Sequence, residues 1–196
     1  MNGNIILAAL MTFVVMGCGQ HDPTTIGFEG ERPQFRHQID EARHRAWFLT
    51  RNEVHLYDPK GPETIRKIQL PDWIWASWPT DGCMPDLALG PNGEAVVSSN
   101  VLPWLWRIDP DTLVVSKHEL VLDPESGKEI GFSGLAYSEK QRAFIAVGSA
   151  DGSLWWIDRS LQRAERVALS APNPPACGIA IGPRTIEQKL AGSIRL

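Results

Sequence analysis

Three aspartates keep a nearly constant distance along this chain. Asp58, Asp109 and Asp158 close the segments VHLYD, LWRID and LWWID, and lie 51 and 49 residues apart. A second landmark has the same interval: Ala46, Ala95 and Ala143, within RAWFLT, EAVVSS and RAFIAV, are 49 and 48 apart. A third runs through HQIDEA, DLALGP, SGLAYS and CGIAIGP, where Ile39, Ala88, Ala136 and Ala180 are spaced by 49, 48 and 44. Three landmarks with one period make an internal repeat. A period of roughly 20 to 50 residues restricts a chain to stacked or radially arranged units, each covering its neighbour's apolar face.

Local chemistry selects among these. Each unit holds four short runs rich in Val, Ile, Leu, Trp and Phe, divided by turn residues, which is the pattern of strands and not of helices. Asn92-Gly93 falls between the first two runs of the second unit, and Asp151-Gly152 between the second and third runs of the third. Both dipeptides readily supply the positive φ of a tight hairpin. Fifteen prolines and seventeen glycines, scattered along the chain, punctuate many short turns. A four-stranded antiparallel meander of this length is the blade of a β-propeller. The middle strands of a blade are covered on both faces, which explains why LWWI is apolar at successive positions. Trp155 and Trp156 are therefore read as packing between blades. The expected fold is all-β and propeller-like, with about three four-stranded blades and a partial fourth over residues 36–183.

With YD, ID and ID closing the units, residues 36 to 183 resemble the bacterial WD-repeat and YVTN-type propellers. That resemblance implies a rigid disc whose loops bind proteins, peptides or small ligands, sometimes with an enzyme site over the central channel. Closed propellers have about four to eight blades, more than this count. Three explanations follow: a truncated propeller, closure by self-association, or a very degenerate small propeller. Residues 184–196 break the pattern. Seven positions after Ala180 the repeat calls for an Ala-Val-Val-like strand, and the chain supplies EQKLAG, so this stretch reads as an atypical tail.

The N-terminus carries an address. An apolar run from Ile5 to Met16 is twelve residues long, short of the ~20 that span a bilayer but suited to a secretory signal over residues 1–17. VMGC, Val15 to Cys18, resembles the lipobox of bacterial lipoproteins. The resemblance implies cleavage before Cys18, a diacylglyceryl thioether on its sulfur, and, with Gly19 following, an outer-membrane destination facing the periplasm. Residues 18–35, polar and without periodicity, read as a tether. With Cys18 lipidated, Cys83 and Cys177 remain. In an oxidising compartment they are candidates for a disulfide or for two separate buried thiols.

A formal net charge of −4 gives no global attraction to nucleic acid or anionic lipid. Motifs for phosphate, dinucleotide or haem binding and for a serine nucleophile are missing, and the five histidines have no metal-ligand spacing. No cofactor is expected. The long connection from Leu70 to Ala88 carries Trp73, Trp75 and Trp78, either a stacking platform for a sugar or partner or a plug against the next blade. Asp81 and Asp86, with Ser133 before the equivalent later strand, are weak candidates to hold a divalent ion. Two function classes follow. One is a non-catalytic, membrane-tethered binding or assembly module, capable of self-association. The other is a fragment of a periplasmic propeller enzyme of lactonase or quinone-dependent dehydrogenase type, in which Asn100 would join the two aspartates.

Overall fold

The computed structural model describes residues 36–76, 83–123, 130–168, 176–181 and 186–190. Strands form where the repeat places them. The first sheet is a meander of β1 (Arg36–Asp40), β2 (Arg45–Leu49), β3 (Val54–Tyr57) and β4 (Ile65–Ile68). The second follows the same order with β5 (Leu87–Leu89), β6 (Ala95–Ser98), β7 (Trp104–Ile108) and β8 (Val115–Glu119). The connection out of it contributes β9 (Val121–Leu122). The third sheet is β10 (Phe132–Ser138), β11 (Ala143–Gly148), β12 (Leu154–Asp158) and β13 (Arg163–Arg166), with β9 added parallel to β13. A fourth sheet pairs β14 (Ala176–Ile181) with β15 (Ile186–Leu190). Within each meander every consecutive pair is antiparallel.

The turns repeat as closely as the strands. Among the positive-φ residues, His44 (55°), Gly93 (82°) and Arg142 (55°) each lie between the first and second strands of a sheet, at intervals of 49 residues. Gly93 suits that geometry at least cost; His44 and Arg142 are non-glycine residues held there by the hairpins around them. The repeat aspartates shape the turn between the third and fourth strands. Asp58 accepts from the Lys60 amide (3.1 Å), Asp109 from the Asp111 amide (3.0 Å) and Asp158 from the Ser160 amide (3.0 Å). A short carboxylate that bonds the backbone two residues on stands in for a turn hydrogen bond, so the landmark is a turn cap.

Packing follows strand alternation. On β7, Trp106 joins a buried cluster with Trp47, Leu49 and Leu56 of the first sheet, while its neighbour Leu105 joins Phe132, Phe144 and Trp155 of the third. On β12, Trp155 faces back to the second sheet and Trp156 packs with Ile145 and Ile179 toward the fourth. Both faces of a middle sheet are thus interior, and the apolar run LWWI is explained. Arginines add a latch between sheets. Arg45 donates to the Pro110 carbonyl (2.7 Å), and Arg107 donates to the Arg159 carbonyl. Pro110 and Arg159 each follow a repeat aspartate and lie 49 residues apart.

The tail assigned to residues 184–196 contains β15, which pairs with β14 in the register Ala180↔Glu187 and Ile181↔Ile186. Strand pairing is a backbone interaction, so a sheet edge can accept a segment that lacks the Ala-Val-Val pattern. The signal and tether segments, residues 1–17 and 18–35, lie outside the described residues.

The cap carboxyls are held below their ordinary value of 3.8. Burial pushes Asp58 upward, and the Lys60 amide and Arg45 guanidinium outweigh it. At Asp109 the Thr112 amide dominates; at Asp158 burial is outweighed by the Ser160 hydroxyl and the Arg163 amide. A carboxyl lowered by folding stabilises the folded state above its unfolded pKa, and that stabilisation is lost as pH falls through the folded value. Urea midpoints should therefore drop on acidification from about pH 5 to about pH 3, and Asp158→Asn should flatten that dependence.

Candidate functional site

The first strands of the sheets bring their polar groups together at one end. Asp86, just before β5, is nearly buried and forms a salt bridge with Arg36 of β1 at 3.0 Å. Its two carboxylate oxygens also accept from the Leu87 amide (2.8 Å) and from the Leu135 amide of β10 (2.9 Å). The same guanidinium donates to the Cys177 carbonyl of β14 at 2.7 Å. One ion pair thus touches all four sheets. Ser98 accepts from the Asp86 amide (2.9 Å) and donates to the Phe132 carbonyl (2.8 Å). Asn100 donates to the carbonyls of Ala76 (2.8 Å) and Cys83 (2.9 Å), and Ser149 donates to the Asn100 carbonyl (2.6 Å). Beside it a Cβ on Gly131 would lie 2.0 Å from the Asn100 carbonyl carbon, so backbones touch there.

Cys83 and Cys177 are joined as a disulfide, with Cα atoms 4.7 Å apart across a sequence separation of 94. It ties the segment entering the second sheet to β14.

Of the residues singled out for metal binding, Asp86 and Ser133 lie among the described residues. Asp86 meets a guanidinium and amides, Ser133 is buried at the start of β10, and Asp81 lies outside the described residues. Among the described residues no three His, Cys, Asp or Glu side chains gather as a metal site.

The tryptophan loop resolves into anchors. Trp73 donates its indole N–H to the Ser98 carbonyl (3.2 Å) and packs on the cluster between the first two sheets. Trp75 donates to the Arg51 carbonyl (3.0 Å), with the Arg51 guanidinium 5.6 Å over its ring. The two rings lie 6.3 Å apart, tilted. One face of the Trp75 ring thus meets the chain's own cation. Trp78 lies outside the described residues.

Sequence reasoning missed a polar group on the first sheet. Three residues before their repeat aspartates stand Trp106 and Trp155; the first unit has His55 there. His55 and Phe48 are cross-strand partners, as are Trp106 with Val97 and Trp155 with Ala146. His55 is buried at 2% exposure, with Nε2 2.9 Å from Glu53 Oε1, and Gln69 also donates to Glu53. The break in the repeat at position 55 was the available signal.

Two clefts lie between hairpin turns. One of about 580 Å³ is lined by Ile39, Asp40, Arg43, Leu89 and Gly93 among others. The other, about 260 Å³, is lined by Asn92, Glu94, Arg107, Asp109, Pro110 and Arg159. Arg43 spans the first by pairing with Asp40 (3.4 Å) and Asp111 (3.5 Å). The second encloses the Arg107 latch.

Repeated four-stranded meanders that pack face to face, with first strands converging, define a β-propeller-type repeat protein. Among solved structures the chain is similar to virginiamycin B lyase from Staphylococcus aureus, with a TM-score of 0.54 and 16% identity over 75% of this chain and 45% of that one. It is also similar to a streptogramin B lyase, with a TM-score of 0.50 and 18% identity over 72% of this chain and 42% of that one. The likeness is one of fold, and this chain spans less than half the length of either. No family model matches the chain, and no curated protein matches it.

Proposed function

We propose that this protein is a non-catalytic binding or assembly module of the propeller class, tethered to the outer membrane through lipid on Cys18 and facing the periplasm. The disulfide between Cys83 and Cys177 carries this reading, because such bonds persist in exported proteins and are rare in reducing compartments. The VMGC segment supports the lipid anchor, and the WD- or YVTN-like pattern of the repeats supports a role in binding. At the converging strand ends Arg36, Asp86, Ser98 and Asn100 are engaged in holding sheets together, a structural use of the groups an enzyme would turn toward a substrate.

Expression of the full chain with radiolabelled fatty acid tests the anchor. Label should enter the wild type and be lost in Cys18→Ala, which should appear in the soluble periplasmic fraction. An unlabelled wild type would sink the tether. The second reading, a propeller-enzyme fragment, is favoured by both fold neighbours being lyases. Incubation with virginiamycin B separates the two: steady loss of the intact compound with time and protein concentration would establish the enzyme.

A further inference from the structure

The two arginine latches are not alike. Arg45 holds the Pro110 carbonyl and has its own counter-ion, Asp58, at 2.7 Å. Arg107 holds the Arg159 carbonyl, and among the described residues no carboxylate pairs with it. The position that is Pro110 in the first latch is Arg159 in the second, so a second guanidinium enters where the repeat has an uncharged ring. Arg159 donates to Asn92 Oδ1 (3.2 Å) and, among the described residues, is in no ion pair either. Both arginines line the cleft of about 260 Å³ between the second and third sheets. The two carboxylates in its wall are engaged by their own turns. Asp109 Oδ1 accepts from the Asp111 amide (3.0 Å), the Thr112 amide (2.7 Å) and the Thr112 hydroxyl (2.9 Å), and Glu94 accepts from the Asn92 amide (2.8 Å). Arg107 Nε is buried and has no acceptor among the described residues. The positive field reaches His118 of β8, which is held below its ordinary value first by burial and then by Arg107, with Asp158 opposing.

We propose that this cleft is a carboxylate-binding site, in which Arg107 and Arg159 together hold one singly charged carboxylate. A guanidinium presents its N–H groups as a planar fork that fits a carboxylate through two parallel bonds. Here the forks come from neighbouring sheets, so a bound carboxylate supplies the counter-ion that Asp58 supplies to Arg45. The wall sets the charge of the ligand. A phosphate dianion brings two negative charges toward Glu94 and Asp109, whereas a carboxylate brings one. Volume sets its extent. The cleft falls below the ~300 Å³ at which pockets for drug-sized molecules begin, so it takes a small acid or the end of an acidic side chain. The site needs neither lipid on Cys18 nor a non-catalytic role, and so goes beyond the function proposed above.

Nuclear magnetic resonance titration of the folded full chain at low salt tests it, read at the backbone amides of Asn92, Arg107 and Arg159. Sodium acetate and a capped Gly-Glu-Gly peptide are added separately, each against sodium chloride at matched ionic strength. Saturable shifts with a carboxylate and none with chloride support the site, and the tighter of the two probes tells a free acid from a side chain. Arg159→Gln should weaken binding about tenfold or more. It should leave the fold intact, because the latch uses the Arg159 backbone carbonyl and its side chain is exposed. Arg107→Gln should weaken binding as much; should it fail to fold, Arg159→Gln still decides. Shifts that never saturate overturn the proposal. So does unchanged affinity in Arg159→Gln, or inorganic phosphate binding more tightly than acetate.

Discussion

Replacing Asp86 with alanine is expected to lower the unfolding free energy by about 3 to 5 kcal/mol. The carboxylate is nearly buried, and its removal strands two backbone donors, the Leu87 and Leu135 amides. Arg36 loses its partner as well, although its side chain is 34% exposed and recovers part of that loss in water. The stranded amides therefore dominate the cost. Asp86→Asn keeps one acceptor oxygen and should lose roughly half as much. Urea unfolding gives both values. A loss below about 1 kcal/mol for the alanine variant would mean that the four sheets do not depend on this carboxylate.

Trp155→Ala should cost a similar amount, about 3 to 5 kcal/mol. Trp155 is fully buried between the second and third sheets, meets Phe132 edge-on with centroids 6.0 Å apart, and donates its indole N–H to Ser153 at 2.7 Å. Alanine leaves a cavity that neighbours rooted in two different sheets cannot collapse to fill. Trp75→Ala makes the comparison, because that ring is half-exposed and its indole bond sits at the surface. It should cost about 1 kcal/mol. Equal losses in the two variants would contradict the assignment of the repeat-position tryptophan to packing between sheets.

Much of this architecture was legible because it rests on periodic chemistry. Apolar runs recurred at one interval, Asn92-Gly93 and Asp151-Gly152 marked hairpins, and both glycines have positive φ, 82° and 67°. The repeat aspartates stood out as a spacing, though spacing alone does not reveal that they cap turns. What could not be read falls into two kinds. The latch arginines occupy different strands, Arg45 on β2 and Arg107 on β7, so no alignment of the repeats brings them into register. They are equivalent only in the carbonyls they reach. β15 was missed for another reason: its pairing is made by backbone groups, and apolar pattern is silent about those. The site was less legible than the fold. Asp86 drew attention as a metal ligand, but its partner Arg36 lies 50 residues upstream in the preceding unit, and no motif links the two. His55 looked like an isolated histidine until strand register set it opposite Phe48.

Backbone cross-strand contacts seen by nuclear magnetic resonance measure the repeat itself. The account predicts through-space peaks between the paired residues Phe48 and His55, Val97 and Trp106, and Ala146 and Trp155, one pair from each meander at the same step of the repeat. Pairings shifted by a single residue would turn each buried tryptophan to the opposite face of its sheet. That shift, or helical contacts between residues three apart anywhere from 86 to 169, would contradict it.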